Sequence, residues 1–457
     1  MSDERTDGIS RVGVVGLGTM GAGIVEVFAR AGLSVVAVDG TPELAERGRG
    51  FLEKSTGKQV QRGRLTQADQ QALVARVTFA HELTALADVD LVVEAVPERM
   101  EIKHDIFGTL DGIVRDDAIL ASNTSSLSLT EIAAATARPE RVVGMHFFNP
   151  APVLKLVEVI TTIRTDETVV SRVRDLAERL GKKPVVVRDR AGFVANALLI
   201  AYLARAIRTY ETGHVTREDL DAAATAGIGL PMGPLTLSDL IGLDVVKEVC
   251  DVLYAATHDP ASAPPALLQQ MVAAGRLGRK TGRGFYDYAD DAAETPASQG
   301  EVVTADTPEA LAESLAADGV RVELHAETPK GRLAEIVRGA TASDADVATA
   351  RASLAAAGLV PVVSRDRAGR VRDALLLPHV NEAVKMLDSG YASADDIDTA
   401  MTAGCGYPEG LLQMLDRWGA QRVLDGLREM AAETGEPGLH PSPLLVEHAA
   451  TGRPFRG

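Results

Sequence analysis

Residues 11–40, RVGVVGLGTMGAGIVEVFARAGLSVVAVDG, carry the reading from which the rest of the fold follows. Arg11 to Val15 is a short apolar run of strand character that breaks directly into Gly16-Leu-Gly18-Thr-Met-Gly21. A helical stretch follows, with Ala22 and Gly23 at its start and Ile24, Val25, Val27 and Phe28 behind them. Ser34 to Val38 reads as a second strand, and it ends on Asp39, 18 residues past the last glycine (39 − 21 = 18). Glycine-rich turns are common, but strand, turn, helix, second strand and acid in this order predict a dinucleotide-binding βαβ unit. Gly16 permits the tight turn, Gly18 lets the backbone approach a pyrophosphate, and Gly21 lets helix and strand pack closely. The helix N-terminus offers N–H groups and the positive end of its dipole to the phosphates. Asp39 suits the hydroxyls of an adenosine ribose and repels a 2′-phosphate, and Gly40-Thr41 offers no arginine to receive one. NAD is therefore expected over NADP.

Working outward, Pro42 to Arg64 is a polar helical segment with Lys54, Lys58 and Arg62 at i, i+4 and i+8, on one helix face. Such a stripe is an ordinary solvated surface or, in a chain this acidic, a landing site for a phosphorylated substrate tail. Asp90 to Ala95 reads as a strand running into Val96-Pro97-Glu98 and a helix that contains Lys103. Ligands of open parallel sheets lie beyond the carboxyl ends of the strands, which puts Ala95, Glu98 and Lys103 on the nicotinamide side. Ile119 to Ser122 is a further strand, with Asn123 and Thr124 just past its end.

The segment 121–160, ASNTSSLSLTEIAAATARPERVVGMHFFNPAPVLKLVEVI, combines a hydroxyl cluster, a histidine after the apolar run Val142 to Met145, and Glu158 inside Leu156 to Ile160. A histidine ending one strand and a carboxylate within the next can meet across a sheet. The carboxylate then fixes the ring tautomer and stabilises its protonated form, as general acid–base work requires. A core histidine beside a buried glutamate is the other reading of the same residues.

The whole chain sets bounds on these readings. Its 457 residues suffice for several domains, and 46% hydrophobic with 24% charged residues is ordinary for a globular protein. A formal net charge of −17 disfavours nucleic acid and anionic membrane as partners. Cys250 and Cys405 are far apart and lack metal-ligand spacing, so a reducing, cytoplasmic setting and no metal are expected. The opening MSDERTDGIS has no apolar core and does not read as a signal peptide, and Ala195 to Ala204 is too short to span a bilayer.

With these pieces in order, the sequence resembles the L-3-hydroxyacyl-CoA dehydrogenase family, nearest its short-chain 3-hydroxybutyryl-CoA branch. The motifs that carry the resemblance are GLGTMGAGI, DLVVEAVPE, ASNTSSLS, GMHFFNPAPVLKLVEV, GFVANALL, LPMGPLTLSDLIGLD and LGRKTGRGFYDY, over about residues 9–288. The resemblance implies His146 as catalytic base and Glu158 as its orienting partner, with Ser125 and Asn196 contacting the C3 oxygen of the substrate. It places Gly16, Gly18, Met20, Gly21, Asp39, Ala95, Glu98, Lys103, Asn123 and Lys280 around NAD, and Lys54 and Lys58 on the coenzyme A moiety of an acyl-CoA. The implied reaction is reversible oxidation of (S)-3-hydroxyacyl-CoA, such as 3-hydroxybutyryl-CoA, to the 3-ketoacyl-CoA. Relatives commonly have Asn-Arg where this chain has Asn196-Ala197. Other readings are a sugar-acid dehydrogenase of the L-gulonate type, a 6-phosphogluconate-type β-hydroxyacid dehydrogenase, which uses a helix lysine instead, and a non-catalytic NAD- or CoA-binding protein.

The expected fold is an α/β Rossmann-type doubly wound domain (1–190) followed by two tandem all-α domains. The first helical domain spans 191–288, with a helix from about Val194 to Thr212 and another from Arg217 capped by Thr216. Residues 289–360 read as a linker to Pro308 and a small α/β segment of unknown role: helix Ala310 to Ala317, strand Val320 to His325, helix Asp344 to Ala357. Arg188-Asp-Arg-Ala-Gly192 then returns as Arg365-Asp-Arg-Ala-Gly369, Gly229-Leu-Pro231 as Gly406-Tyr-Pro408, and Asp239 as Asp416, each 177 residues on (369 − 192 = 177). Residues 361–457 are thus a second, degenerate helical copy with Asp373 in place of Asn196. It is expected to be non-catalytic and to pack on the first copy as an internal pseudo-dimer; a homodimer is the other possibility.

Overall fold

The computed structural model of the chain describes residues 8–288, 301–316 and 319–456. The first seven residues, 289–300 of the expected linker and the last residue of the expected helix Ala310 to Ala317 lie outside the described residues. The chain forms two compact units, Met1–Ala195 with Tyr391–Gly404, and Asn196–Gly390 with Cys405–Gly457.

In the first unit, β1 (Arg11–Val15), α1 (Thr19–Arg30), β2 (Ser34–Val38), α2 (Pro42–Gln61), α3 (Gln67–Val74) and β3 (Val77–Ala80) form the opening half. Then come β4 (Leu91–Glu94), α4 (Met100–Asp111), β5 (Ile119–Ser122), α5 (Leu129–Ala133), β6 (Val142–Phe147), β7 (Leu156–Thr161), α6 (Glu167–Arg179) and β8 (Lys183–Arg188). They make one eight-stranded sheet in the order β3-β2-β1-β4-β5-β6-β7-β8. All neighbours are parallel except β6 and β7. Strands β1, β2, β4 and β5 are Val-, Ile- and Leu-rich and nearly continuously buried, as expected where helices cover both sheet faces. The strand order reverses between β1 and β4, where a doubly wound sheet opens its ligand crevice. Helix starts follow the local sequence: Thr41 accepts from Leu44 N–H ahead of Pro42, and Thr66 with Asp69 forms a capping box. Helix α2 buries Ala45, Gly48, Leu52 and Thr56, and Lys54, Lys58 and Arg62 stand exposed off that face.

The second unit begins with α7 (Ala195–Glu211), α8 (Arg217–Ile228), α9 (Pro234–Ile241), α10 (Leu243–Thr257), α11 (Ala266–Ala273) and α12 (Pro308–Leu315). Next come β9 (Val320–Leu324), β10 (Leu333–Arg338), α13 (Asp344–Ala356) and β11 (Val360–Arg365), followed by α14 (Arg372–Asp388), α15 (Ala394–Gly404), α16 (Leu411–Trp418), α17 (Ala420–Thr434) and α18 (Pro443–Thr451). Of these, α15 and the first residue of α7 belong to the first unit. Among the described residues no helix is long and apolar enough to cross a membrane.

The structure groups the four sequence segments into these two units, and to the expected strand and helix of the small α/β segment it adds two strands, β10 and β11. Here β9 pairs antiparallel with β10, and β10 pairs parallel with β11. Glu323 stands opposite Glu335, as His146 stands opposite Glu158 in the first unit (323 − 146 = 335 − 158 = 177). The run β9-β10-α13-β11 therefore echoes β6-β7-α6-β8, and the repeat begins some forty residues before 361. LAEIVR and VPVVSR are short apolar runs that periodicity alone does not distinguish from buried helix.

The two copies also exchange a helix. In the second unit α8 packs on β10 and β11, and in the first unit α15 packs on β7 and β8. A Cβ on Gly227 would lie 2.5 Å from Leu333, and one on Gly404 2.4 Å from Leu156 (404 − 227 = 333 − 156 = 177), so glycine permits both close contacts. Within the second unit, Gly229 faces Pro408 and Gly406 faces Pro231, while Tyr202 meets its own equivalent, His379, with ring centroids 5.1 Å apart. Such reciprocal contacts are the signature of a two-fold axis.

Candidate active site

The nucleotide loop is built as its glycines require. Gly16 has φ +88°, and a Cβ there would lie 2.7 Å from the Ala95 carbonyl oxygen; one on Gly21 would strike the Gly16 oxygen at 1.7 Å. Around a Cβ on Gly18 there is open space, and the α1 N-terminus has no side-chain cap. That is a cradle a pyrophosphate fits, with backbone donors already present. The Asp39 carboxylate takes Leu17 N–H on one oxygen at 2.8 Å and Gly40 N–H on the other at 2.8 Å, which fixes it at the crevice with acceptor capacity to spare. Ala95 continues β4 with its N–H on the Val15 oxygen, and Met20 packs half-buried against the core.

Beyond β4 and β5 lies a buried polar network. Lys103, 1% exposed, places Nζ 2.8 Å from Glu94 and 3.2 Å from Glu98. Glu94 also accepts from Ser122 Oγ at 2.6 Å and from Val96 N–H. Glu98 Oε1 gathers the SNTSS turn: Thr124 Oγ1 at 2.7 Å, Ser125 N–H at 2.8 Å, Ser126 N–H at 3.0 Å, and the hydroxyls of Ser126 and Ser125 at 3.2 and 3.3 Å. Burial alone would raise the Glu98 pKa, but the Lys103 charge and the hydrogen bonds from Thr124 and Ser125 outweigh it and hold the group below the usual carboxylate range. Lys103 and Glu98 thus organise the turn from beneath. The Ser125 hydroxyl makes the longest of these bonds and is the one most readily redirected to a ligand. Asn123 ties β5 to β6 by accepting Phe147 N–H at 2.8 Å, next to His146 in sequence.

At the centre, the register of β6 and β7 sets His146 opposite Glu158, with Nδ1 2.8 Å from Glu158 Oε2. Glu158 is fully buried, and its other oxygen accepts Val194 N–H at 3.0 Å and Ala195 N–H at 2.9 Å, at the start of α7. Every donor therefore converges on an anion at a helix N-terminus. An acceptor-only carboxylate requires Nδ1 to carry the proton, which leaves Nε2 with its lone pair and no hydrogen-bond partner among the described residues. Phe148 and Phe193 flank the ring at 4.5 and 5.6 Å. The geometry is that of an oriented base.

Sequence reasoning missed several supports. Asp189 accepts Leu129 N–H, Thr130 N–H and Ser128 Oγ, anchoring α5 just past the SNTSS turn. The available signal was the repeated RDRAG motif, which contains it. Asn196 and Lys280 lie in the second unit: Asn196 follows Ala195 on α7, and Lys280 pairs with Asp244. Lys54, Lys58 and Arg62 stand exposed with no ion-pair partner among the described residues.

The second copy lacks this machinery. Glu335 holds Val371 N–H and Arg372 N–H at 2.9 and 3.1 Å, as Glu158 holds Val194 and Ala195. Opposite it stands Glu323, paired with Arg370, instead of a histidine. His325 comes within 3.2 Å of Glu335 but without hydrogen-bond geometry. Asp373, at the Asn196 position, is bound by Arg372 and Arg422.

Known proteins resemble this chain over nearly its whole length. The family model for the 3-hydroxyacyl-CoA dehydrogenase NAD-binding domain matches residues 11–190, and that for the C-terminal domain of the same family matches 192–288 and again 369–456. A 3-hydroxyadipyl-CoA dehydrogenase of Escherichia coli K12 is 36% identical over 96% of this chain and 98% of its own length. A 3-hydroxybutyryl-CoA dehydrogenase of Mycobacterium tuberculosis is 49% identical over 62% of this chain and all of its own. A crystal structure of 3-hydroxybutyryl-CoA dehydrogenase from Escherichia coli K12 superposes with a TM-score of 0.88 at 34% identity, covering 97% of this chain and 98% of that one.

Proposed function

The chain belongs to the 3-hydroxyacyl-CoA dehydrogenase family of NAD-dependent oxidoreductases, and from that premise we propose that it oxidises (S)-3-hydroxyacyl-CoA to 3-ketoacyl-CoA with His146 as the base. The observation that carries this reading is the 2.8 Å contact of His146 Nδ1 with Glu158, which leaves Nε2 free to take a proton. NAD, when bound, supplies the hydride acceptor. His146 Nε2 removes the proton of the C3 hydroxyl, and Glu158 stabilises the resulting imidazolium through Nδ1–H. Ser125, released from its long bond to Glu98, and Asn196 donate hydrogen bonds to the C3 oxygen as its charge changes. In reduction the same proton returns from the imidazolium to the oxygen. Gly16, Gly18, Gly21 and Asp39 hold the dinucleotide, with Met20, Ala95, Asn123 and Lys280 about it. Lys54 and Lys58, exposed and without an ion-pair partner among the described residues, receive the coenzyme A phosphates.

The sugar-acid reading needs no such cations, and a binding protein needs no base. The substrate is a short-chain 3-hydroxyacyl-CoA such as 3-hydroxybutyryl-CoA. The near full-length likeness to a 3-hydroxyadipyl-CoA dehydrogenase supports a second acyl group, one ending in a carboxylate. We assign the protein to the cytoplasm, in keeping with a sequence that has two cysteines, far apart and without metal-ligand spacing. The second helical copy acts as an internal partner of the first.

NADH formation with 3-hydroxybutyryl-CoA, 3-hydroxyadipyl-CoA, free 3-hydroxybutyrate and L-gulonate tests the proposal. Turnover of a thioester at least a hundredfold above the free acids is expected. Preference for a free acid would overturn the CoA reading.

A further inference from the structure

The turn from Asp189 to Ala195 touches the His146–Glu158 pair and the helix that follows the SNTSS turn. Asp189 holds the start of α5, Phe193 lies against the His146 ring, and Val194 and Ala195 donate to Glu158. Phe193 sits in the left-handed region at φ 47°, so the turn is a strained one that its surroundings must hold. What borders it comes from the far end of the sequence. Tyr391, at the entry to α15, is 7% exposed and carries the Arg190 guanidinium over its ring at 5.5 Å from the centroid. Burial first, and then the negative charge of Glu158, pushes the Tyr391 phenol up, with Asp189 adding to it and Arg190 opposing, so the ring lies within the field of the catalytic carboxylate. Its hydroxyl has no hydrogen-bond partner among the described residues, so the ring itself makes the contact. At the far end of α15, Gly404 brings the helix backbone onto Leu156, two residues before Glu158 on β7. Helix α15 thus covers both β8, the edge strand of the sheet, and the strand that carries Glu158.

We infer that Tyr391, carried by the copy that has no site of its own, is a positioning residue for the His146–Glu158 pair of the first copy, acting through the Asp189–Ala195 turn. The degenerate copy is then part of the catalytic apparatus, because it supplies the outer wall of the turn that aims the base. This rests on the dehydrogenase reading for its activity readout but concerns a residue that the reading does not use.

In the full chain, Tyr391→Ala is expected to lower kcat about ten- to a hundredfold, the scale of a misplacement near 1 Å, with NAD affinity unchanged. The acid limb of the kcat/KM profile for alcohol oxidation should move to lower pH, because the imidazolium loses part of its carboxylate partner. Tyr391→Phe, which keeps the ring, should restore both. Arg190→Ala, an exposed change that leaves α15 in place, should reproduce the limb shift in smaller measure. The inference is overturned if Tyr391→Ala stays within twofold of the parent, or if it loses activity without a limb shift. Should Tyr391→Ala fail to fold, Arg190→Ala decides: an unmoved limb there also overturns the inference. If the parent itself turned over no 3-hydroxyacyl-CoA, the functional proposal would fail before this one was reached.

Discussion

Replacing Glu158 by glutamine separates the two tasks this side chain performs. Three N–H groups converge on it: Val194 and Ala195 on Oε1, and His146 Nδ1 on Oε2. A glutamine must keep its carbonyl oxygen toward the two backbone donors, since reversal would strand both at about 1–3 kcal/mol each. Its NH2 then faces Nδ1, which can only accept, and the ring proton moves to Nε2. The base is lost although the fold is kept. A wrong-tautomer histidine in a comparable arrangement costs about 10⁴ in turnover, so we expect kcat to fall by about 10³–10⁴, or ~4–5.5 kcal/mol. The stability loss should be smaller, about 1–3 kcal/mol for one charge-assisted hydrogen bond. Steady-state NADH formation, a urea titration and the 15N shifts of the His146 ring measure the three consequences. Glu335→Gln is the internal control: it makes the same change at a carboxylate that anchors a helix start without a base opposite, and should cost stability with kcat unchanged. If Glu158→Gln retained more than a tenth of parental kcat, or kept its proton on Nδ1, the argument from donor geometry would be wrong.

His146→Gln should remove turnover by about 10³ or more while NAD binding, followed by fluorescence, stays within a few-fold; loss of folding would mark the histidine as core. Lys54→Glu with Lys58→Glu should raise KM for the CoA ester about five- to thirtyfold at low salt and leave kcat alone, and added salt should shrink the difference. Burial draws His379 down to about 3, between the phenols of Tyr202 and Tyr407. Because the unfolded histidine binds a proton that the folded one refuses, its contribution is fully present above pH 6.5 and is lost toward pH 3, with a slope of at most about 1.4 kcal/mol per pH unit. His379→Gln should flatten that limb of the stability curve by about this slope, read from urea midpoints; an unchanged slope would refute it.

Much of the first unit was legible because its signals are local. Gly16, Gly18, Gly21 and Asp39 meet within one βαβ unit, and the His146–Glu158 pair needs only the register of two adjacent strands. The Glu94–Lys103–Glu98 network was visible as residues but not as a system, since sequence places Lys103 on the cofactor side without showing that it pairs with both glutamates beneath the SNTSS turn. The helix exchange was hidden for a different reason. Tyr391 and Arg190 are some two hundred residues apart, and no periodicity reports which copy a helix will cover. The kinship of residues 320–365 with β6-β7-α6-β8 escaped because it lies in strand register, with Glu323 where the histidine would be, and register leaves no trace in composition.

Tyr202 and His379 occupy the same place in the two copies and touch across the axis that relates them. Between two identical chains, such a position always confronts itself: every substitution is made twice, and only self-compatible residues survive. Joined end to end, the halves escape that constraint. One side can hold a phenol and the other an imidazole, and one carboxylate can keep its histidine while its counterpart gives the histidine up and retains only the helix it anchors.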